Sequence, residues 1–406
     1  MKKNLYKGEI IKNLFYTSRL SSAELGERVD KSLPLINKMI VELLAEGFLA
    51  ESGFADSTGG RRPATYSLKP DVLYVIAVAV DQLYTRIAIM DMARRPVGKP
   101  ERFEMSLKDN AGAHQLLAEK IQEVISRSGI EKRKLAGIGI GMPGFIDVDK
   151  GINYSFFTSA GNGIANYISD ATGLPVFIDN DSSIIALAEH KFGSAFEKDN
   201  AMVINMGWGV GLGLVLKGDL FRGENGFAGE FSHIPLFSNN KLCSCGKSGC
   251  LETETSLLVI VNKAIEGSRA GRRSVLEKIT LDNPEHAYIT IIQAALKGDK
   301  FAVELLSEVG YHIGRGVAIL IHLLNPTVII LSGRGATAGK LWFAPIQQAL
   351  NEHCIPRLAD STRLEISTMG EEAEIIGAAS LVMENFRSIA FSKGIFSKKI
   401  ETGINN

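Results

Sequence analysis

The chain has 406 residues, with 45 Lys and Arg against 45 Asp and Glu, 45% hydrophobic and 22% charged; this is the composition of a folded globular protein with room for two or three domains. The even charge excludes a surface that binds nucleic acid or anionic lipid all over, while leaving room for a local basic patch. No run reaches the roughly 20 apolar residues of a membrane helix, because residues 317–331 are broken by His322, Asn325 and Pro326.

Lys7, Glu9 and Lys12 interrupt what would be the apolar core of a signal peptide, so a cytoplasmic protein is expected. Residues 1–70 carry 11 Lys and Arg against 8 Asp and Glu, leaving 34 against 37 for the remainder. Within them Ile10, Ile11, Leu14 and Phe15, and later Leu35, Ile36, Met39, Ile40, Leu43 and Leu44, recur at helical spacing. Between these helices Ser21 or Ser22 caps a short helix that Gly26 weakens, and Ser32 can cap the next one. A turn at Gly47, the stretch Gly59-Gly60-Arg61-Arg62-Pro63 and the run 64–68 follow. This order predicts a winged helix-turn-helix over residues 1–70, in which one helix braces a second in the major groove and a basic hairpin reaches the backbone or minor groove. Lys31, Ser32, Asn37 and Lys38 lie off the apolar stripe, and Arg61 and Arg62 sit on the hairpin; all six are candidate contacts to operator DNA. A small helical dimerisation domain with a solvated polar face is the alternative, and the paired arginines after paired glycines favour DNA.

From residue 71 apolar runs alternate with helical patterns. Strands are predicted at 73–80, 86–90, 135–140, 176–178, 202–205, 211–216 and 328–331, and helices at 113–125, 182–192, 257–264, 302–323 and 373–383. The fold class is α/β. Residues 71–390 are long for one sheet, so two α/β lobes with a cleft between them are expected, followed by a polar tail at 391–406.

His233 precedes Cys243 by ten residues, and Cys245 and Cys250 follow with glycines at 246 and 249. Three thiolates and an imidazole make a closed tetrahedral set for a structural Zn2+, and with all four places filled no position is left for catalysis. Cys354 stands alone and reads as an ordinary thiol.

Gly229-Glu230-Phe231-Ser232-His233 together with Cys243 to Glu252 resembles the signature of the ROK family, which groups sugar-responsive repressors with bacterial sugar kinases. Asp179-Asn180-Asp181, followed by Ala186 and Glu189, is similar to its second signature, and the added N-terminal domain resembles the NagC-like and xylose-repressor-like branch of regulators. The resemblance implies a two-lobed, actin-like (ribonuclease H-like) domain with sugar between the lobes. It places Asn180, Asp181, Glu230, His233 and Glu252 on sugar hydroxyls, with the backbone of Gly144 close to the ring. A sugar needs several fixed carboxylate, amide and imidazole groups, and His233 can give one nitrogen to zinc and the other to the ligand. Asp181 can also cap the helix that starts at 182.

In the kinases of the family the residue matching Asp181 is the catalytic base; here it stands at a vestigial position and no catalytic residue is expected. Phosphoryl transfer also requires glycine-rich turns and small hydroxyls that hold the triphosphate. The first such turn, an Asp, an apolar residue, two glycines and a Thr, is laid on Ala79-Val80-Asp81-Gln82-Leu83, and the second, Gly-Thr-Gly, on Gly207-Trp208-Gly209. A third, Ser332-Gly333-Arg334-Gly335, carries Arg334 where a small residue is expected. The expectation is therefore a regulator, a repressor released from its operator by a sugar or sugar phosphate through a change in the angle between the lobes, and a homodimer or homotetramer. A sugar kinase with an accessory domain is the alternative, and a domain governed by a regulatory protein partner is a third reading.

Overall fold

The computed structural model describes residues 2–55, 62–108, 110–276 and 279–396. These form two compact units: one runs to Asp179 and resumes at Ile375, and the other spans Asn180–Glu374.

The first unit opens with α1 (Lys2–Thr17), whose Ile10, Ile11, Leu14 and Phe15 are buried. β1 (Leu20–Ser21) leads into α2 (Ser22–Val29). Ser21 caps α2 reciprocally with Glu24: the Glu24 N–H donates to Ser21 Oγ at 3.3 Å and the Ser21 N–H to Glu24 Oε2 at 2.7 Å. α3 (Leu33–Ala45) buries Ile36, Met39, Ile40 and Leu43. Ser32 occupies its N-cap position but, contrary to expectation, makes no side-chain cap; Pro34 in the first turn lacks an N–H, so one of the orphan donors is already removed. β2 (Leu49–Phe54) and β3 (Ala64–Leu68) pair antiparallel, and β1 adds to β3. The segment between them that holds Gly59, Gly60 and Arg61 lies outside the described residues.

β4 (Tyr74–Val80), β5 (Tyr84–Asp91) and β6 (Glu101–Glu104) form a meander. α4 (Ala113–Ser128), β7 (Leu135–Met142), the short β8 (Ile146–Asp147) and β9 (Ile152–Asn153), α5 (Ile164–Thr172) and β10 (Val176–Asn180) follow. Among the described residues the sheet runs β10-β7-β4-β5-β6, with β4 and β7 parallel. β7 alternates Ile138, Ile140 and Met142, in the core with Leu117, Ile121 and Ile164, against Gly137 and Gly139 on its other face.

The second unit repeats this plan. α6 (Asp181–Phe192) precedes β11 (Asn200–Met206), β12 (Val210–Leu216) and β13 (Asp219–Phe221). After α7 (Glu252–Thr255), α8 (Leu257–Arg269), α9 (Pro284–Leu296) and α10 (Lys300–Leu324) come β14 (Val328–Ser332), α11 (Phe343–His353), α12 (Pro356–Ala359) and β15 (Arg363–Ile366). The described sheet order is β13-β12-β11-β14-β15, with β11, β14 and β15 parallel.

α13 (Glu372–Glu384) starts in the second unit and continues into the first. There it lies so close to β7 that a methyl group on Gly139 would overlap the carbonyl of Ala378. α14 (Phe386–Ser392) buries Phe386, Ile389 and Ala390, and Phe396 packs edge-on against Phe48 at 5.5 Å. Of the expected polar tail, Phe391 and Ser392 are the exposed end of α14, Phe396 reaches Phe48, and 397–406 lie outside the described residues. α1 is held here too: Glu384 accepts from Lys12 Nζ at 2.7 Å and from Tyr16 OH at 2.8 Å. Because backbone faces backbone at Gly139, Gly139→Ala should cost about 2–3 kcal/mol, read as a lower urea midpoint with an unchanged slope; a loss below about 0.5 kcal/mol would contradict this packing.

Candidate metal and ligand site

Between Ile234 and Leu251 the chain forms a loop of the second unit that closes on itself, with Leu251 N–H donating to Ile234 O at 3.0 Å and Phe237 N–H to Gly249 O at 3.1 Å. Gly249 adopts φ +75° and a side chain there would strike the Phe237 carbonyl, so only glycine closes this loop. The closure gathers His233, Cys243, Cys245 and Cys250, whose ligand atoms all lie within 4.8 Å of one another. Cys245 and Cys250 sulfurs are 3.7 Å apart, and His233 Nδ1 is 3.5 Å from Cys243 Sγ. Tetrahedral zinc separates two sulfurs by about 3.8 Å and a sulfur from a nitrogen by about 3.6 Å; these two distances agree with it, and the group could hold a metal ion. Burial, then the neighbouring thiols of Cys245 and Cys243, push the Cys250 thiol up to about 12; a divalent cation relieves such crowding by taking the sulfurs as thiolates.

The other nitrogen of the His233 ring, Nε2, faces Glu230 Oε2 at 3.6 Å. Partial burial raises the Glu230 carboxyl pKa, His233 opposes the rise and Glu252 adds to it. β12 is the common wall. Its Val210 N–H donates to Glu252 Oε2 at 3.3 Å, a side chain on Gly211 would strike Ser182 beside Asp181, and one on Gly229, beside Glu230, would strike the Leu212 carbonyl.

Asn180 caps α6, its Oδ1 accepting from the Ser182 N–H at 2.9 Å. Asp181, at the first position of the helix, accepts from the same N–H at 2.7 Å and from Asn205 Nδ2 at 3.4 Å. The structure therefore groups Asn180, Asp181, Glu230, His233 and Glu252 along β12. Gly144 belongs to the first unit, where the neighbouring Phe145 N–H donates to Ser155 Oγ at 2.9 Å. Glu189 is buried and structural: it accepts from Ser332 Oγ at 3.0 Å and from the Ser194 N–H at 3.1 Å. Asn205 escaped the sequence reading, although its place near the carboxyl end of a parallel strand is where ligand-facing residues collect.

The placement of the first glycine turn needs correction. β4 continues through Val80, which pairs with Thr85, so Ala79 and Val80 are buried strand residues and the turn begins at Asp81. Asp81 Oδ1 accepts the N–H groups of Leu83 at 2.6 Å and Tyr84 at 2.7 Å. A pattern of Asp, spacer, two glycines and Thr therefore falls on Asp81, Gln82, Leu83-Tyr84 and Thr85. Its acid and hydroxyl are present, and two large residues stand where glycines would be.

In the second unit Trp208 is buried, and its indole N–H has no hydrogen-bond partner among the described residues. The Arg334 guanidinium lies 5.7 Å from the Trp208 ring and donates through Nη1 to Glu285 at 2.9 Å and Glu371 at 2.6 Å. Trp342 Nε1 holds this turn by donating to Gly335 O at 2.8 Å.

On α3, Asn37 and Lys38 are exposed, as is Ser32 at its N-cap; Lys31, just before it, is half-buried, its Nζ donating to Asp30 O at 2.5 Å. Arg62 is exposed, and Arg61 lies outside the described residues. Leu33 and Val41, 47% and 64% exposed, share the face of Asn37 at four-residue spacing; large apolar side chains in solvent were the signal that the sequence reading passed over.

No described helix is long and apolar enough to cross a membrane. The chain is similar to the xylose repressor of Caldicellulosiruptor bescii, 26% identical over 395 residues that cover 95% of this chain and 97% of that one. It is also similar to the glucokinase of Halalkalibacterium halodurans, 34% identical over 279 residues, 67% of this chain and 84% of that one. Among solved structures, a ROK family transcriptional regulator described as a homologue of the E. coli Mlc protein aligns with a TM-score of 0.78 and 25% identity, covering 97% of this chain and 99% of that one. The ROK family model matches residues 82–385, and with the His and Cys cluster and two sheets of one plan in place, the chain belongs to the ROK family.

Proposed function

We propose that the chain is a sugar-responsive DNA-binding transcriptional regulator, a repressor that a sugar or sugar phosphate releases from its operator. The observation that carries this reading is the contrast within the second unit. Polar groups suited to sugar hydroxyls line β12, while Trp208 and the Arg334 ion pairs fill the turns at the carboxyl ends of β11 and β14. The Arg334 guanidinium is engaged by two carboxylates, which compete with a triphosphate for it. The similarity to a repressor over 95% of the chain supports the same reading, and the chain is then not an enzyme. A kinase is the second reading, favoured by Asp181, by the retained Asp81 and Thr85, and by the likeness to a glucokinase.

Residues 1–70 act as a winged helix-turn-helix in a cytoplasmic homodimer or homotetramer. α3 enters the major groove, with Asn37 directed at a base, Leu33 and Val41 at thymine methyl groups, and Lys31, Ser32, Lys38, Arg61 and Arg62 at the backbone. Residues 71–390 hold the effector: Asn180, Asp181, Glu230, His233 and Glu252 bind hydroxyls, and Gly144 brings backbone near the ring. Zinc, held by His233, Cys243, Cys245 and Cys250, supplies a rigid anchor for the imidazole. The ring then keeps Nε2 turned toward Glu230 and the sugar.

Three outcomes follow. In a gel shift the protein should retard its own upstream DNA and lose it on addition of one sugar from a pentose, hexose and aminosugar panel; equal retardation of all DNA that vanishes in modest salt would defeat the proposal. Lys38→Ala should weaken binding to every sequence and lower the salt slope by about 1, whereas Asn37→Ala should cost about 1–3 kcal/mol on the operator alone; equal losses on operator and random DNA for Asn37→Ala would count against base reading. Metal analysis of purified protein should find zinc, and Cys243→Ser should lose it together with the sugar response while the circular dichroism of the α/β core persists; a metal-free wild type would refute the zinc loop.

A further inference from the structure

Trp208 and Arg334 lie between the proposed sugar site and the only described helix that runs from one unit into the other. Glu252 takes the Val210 N–H at 3.3 Å, two residues beyond Trp208. The Trp208 turn is further held by Leu257 N–H donating to Gly207 O at 3.1 Å. The buried Trp208 ring faces the Arg334 guanidinium at 5.7 Å. One nitrogen of that guanidinium serves both Glu285, in the first turn of α9, and Glu371, the residue before α13. Nη1 carries two N–H groups and gives one to each carboxylate, so the guanidinium bridges α9 and the start of α13. α13 is then a rod of about 18 Å, and its last residue, Glu384, binds Lys12 and Tyr16 of α1 at 2.7 and 2.8 Å. Tyr16 OH also donates to Ser380 O at 3.2 Å, so α1 is fastened to α13 at two turns. On the other side α1 is tied to α3 by the buried Lys7, paired with Glu42 at 3.0 Å and Glu46 at 2.6 Å.

We propose that Trp208, Arg334 and Glu371 form a relay that passes occupancy of the Glu252 site into α13, and that α13 delivers it to α1 and α3 through Glu384. The inference rests on the regulator reading and names its route. A sugar hydroxyl that draws Glu252 away from the Val210 N–H frees the 207–210 turn. Trp208 shifts against the guanidinium, and Arg334 releases Glu371. The residues that stand where phosphate would be gripped thus acquire a task of their own. Coupling needs a discrete two-state element, and the Arg334 pairs are assigned that part: both carboxylates held in one state, Glu371 released in the other.

The test uses the full chain, a fragment of its own upstream DNA, and D-xylose, D-glucose and N-acetyl-D-glucosamine as probes. Wild type, Glu371→Gln, Glu384→Gln, their double variant and the milder Tyr16→Phe are compared in three measurements: sugar affinity by calorimetry, DNA affinity alone, and DNA affinity with saturating sugar. Where sugar weakens wild-type DNA binding about tenfold or more, both glutamine variants should keep sugar affinity and sugar-free DNA affinity within about threefold while the sugar effect falls below about threefold. The double variant should lose no more than either single one, because a relay in series breaks once. A sugar effect of wild-type size in either glutamine variant, or loss of sugar affinity itself, would overturn the relay. If wild type binds none of the three sugars or shows no operator preference, the regulator reading fails, and that result is separate. Hydrogen exchange then decides: Glu371→Gln should speed exchange in residues 2–17, and an unchanged α1 would overturn the relay.

Discussion

The position of the His233 ring is the constraint on which the ligand-facing side of the second unit depends. One nitrogen lies 3.5 Å from a cysteine sulfur and the other 3.6 Å from the Glu230 carboxylate, so the ring cannot turn without abandoning one neighbour. A free imidazole on a surface loop samples several rotamers, and a site built to read hydroxyl directions loses selectivity with each. The loop from Gly229 to Glu252 removes that freedom by returning through Gly249 onto the backbone of Phe237, which brings the three sulfurs to one side of the ring. Glu252, two residues past Cys250, is set by the same closure.

The architecture was legible where patterns were long. β7, with alternating Ile and Gly, and α10, with a sustained apolar stripe, both lie where periodicity puts them, because one buried face dictates each. α9 was missed: Ile289, Thr290, Ile291 and Ile292 are β-branched and read equally well as strand. β8, β9 and β15 are too short to carry a pattern. The first glycine turn was laid two residues early, inside the run 73–80 that the same reading took as strand; the hairpin register, with Val80 opposite Thr85, puts the turn after it. The grouping of His233 with Cys243, Cys245 and Cys250 was read residue by residue from spacing alone, because three cysteines within eight positions point to one cluster. The Arg334 pairs were not foreseen, since Glu285 and Glu371 are distant in sequence and nothing local signals their convergence.

Charge explains why the replaced turns matter more than their glycines. A phosphate-binding turn works by aiming N–H dipoles and small hydroxyls at an anion. At Trp208 a buried indole sits in the turn, and at Arg334 the guanidinium is already shared by two carboxylates, both partly open to solvent. On the proposed reading a nucleotide would have to displace an aromatic ring and compete with two carboxylates for the guanidinium. A sugar faces neither cost, because its proposed partners lie along β12 and carry their own fixed orientation.

The central claim is that this family member keeps a sugar site and has given up the grip on a nucleotide. A coupled ADP-release assay on the purified chain, over a panel of hexoses, pentoses and aminosugars with Mg-ATP, tests it most directly when run beside calorimetry of the same sugars. Heat of sugar binding with no ADP release above the protein-free rate is the expected result. Sustained turnover that disappears in Asp181→Asn would contradict the claim and make the chain a kinase.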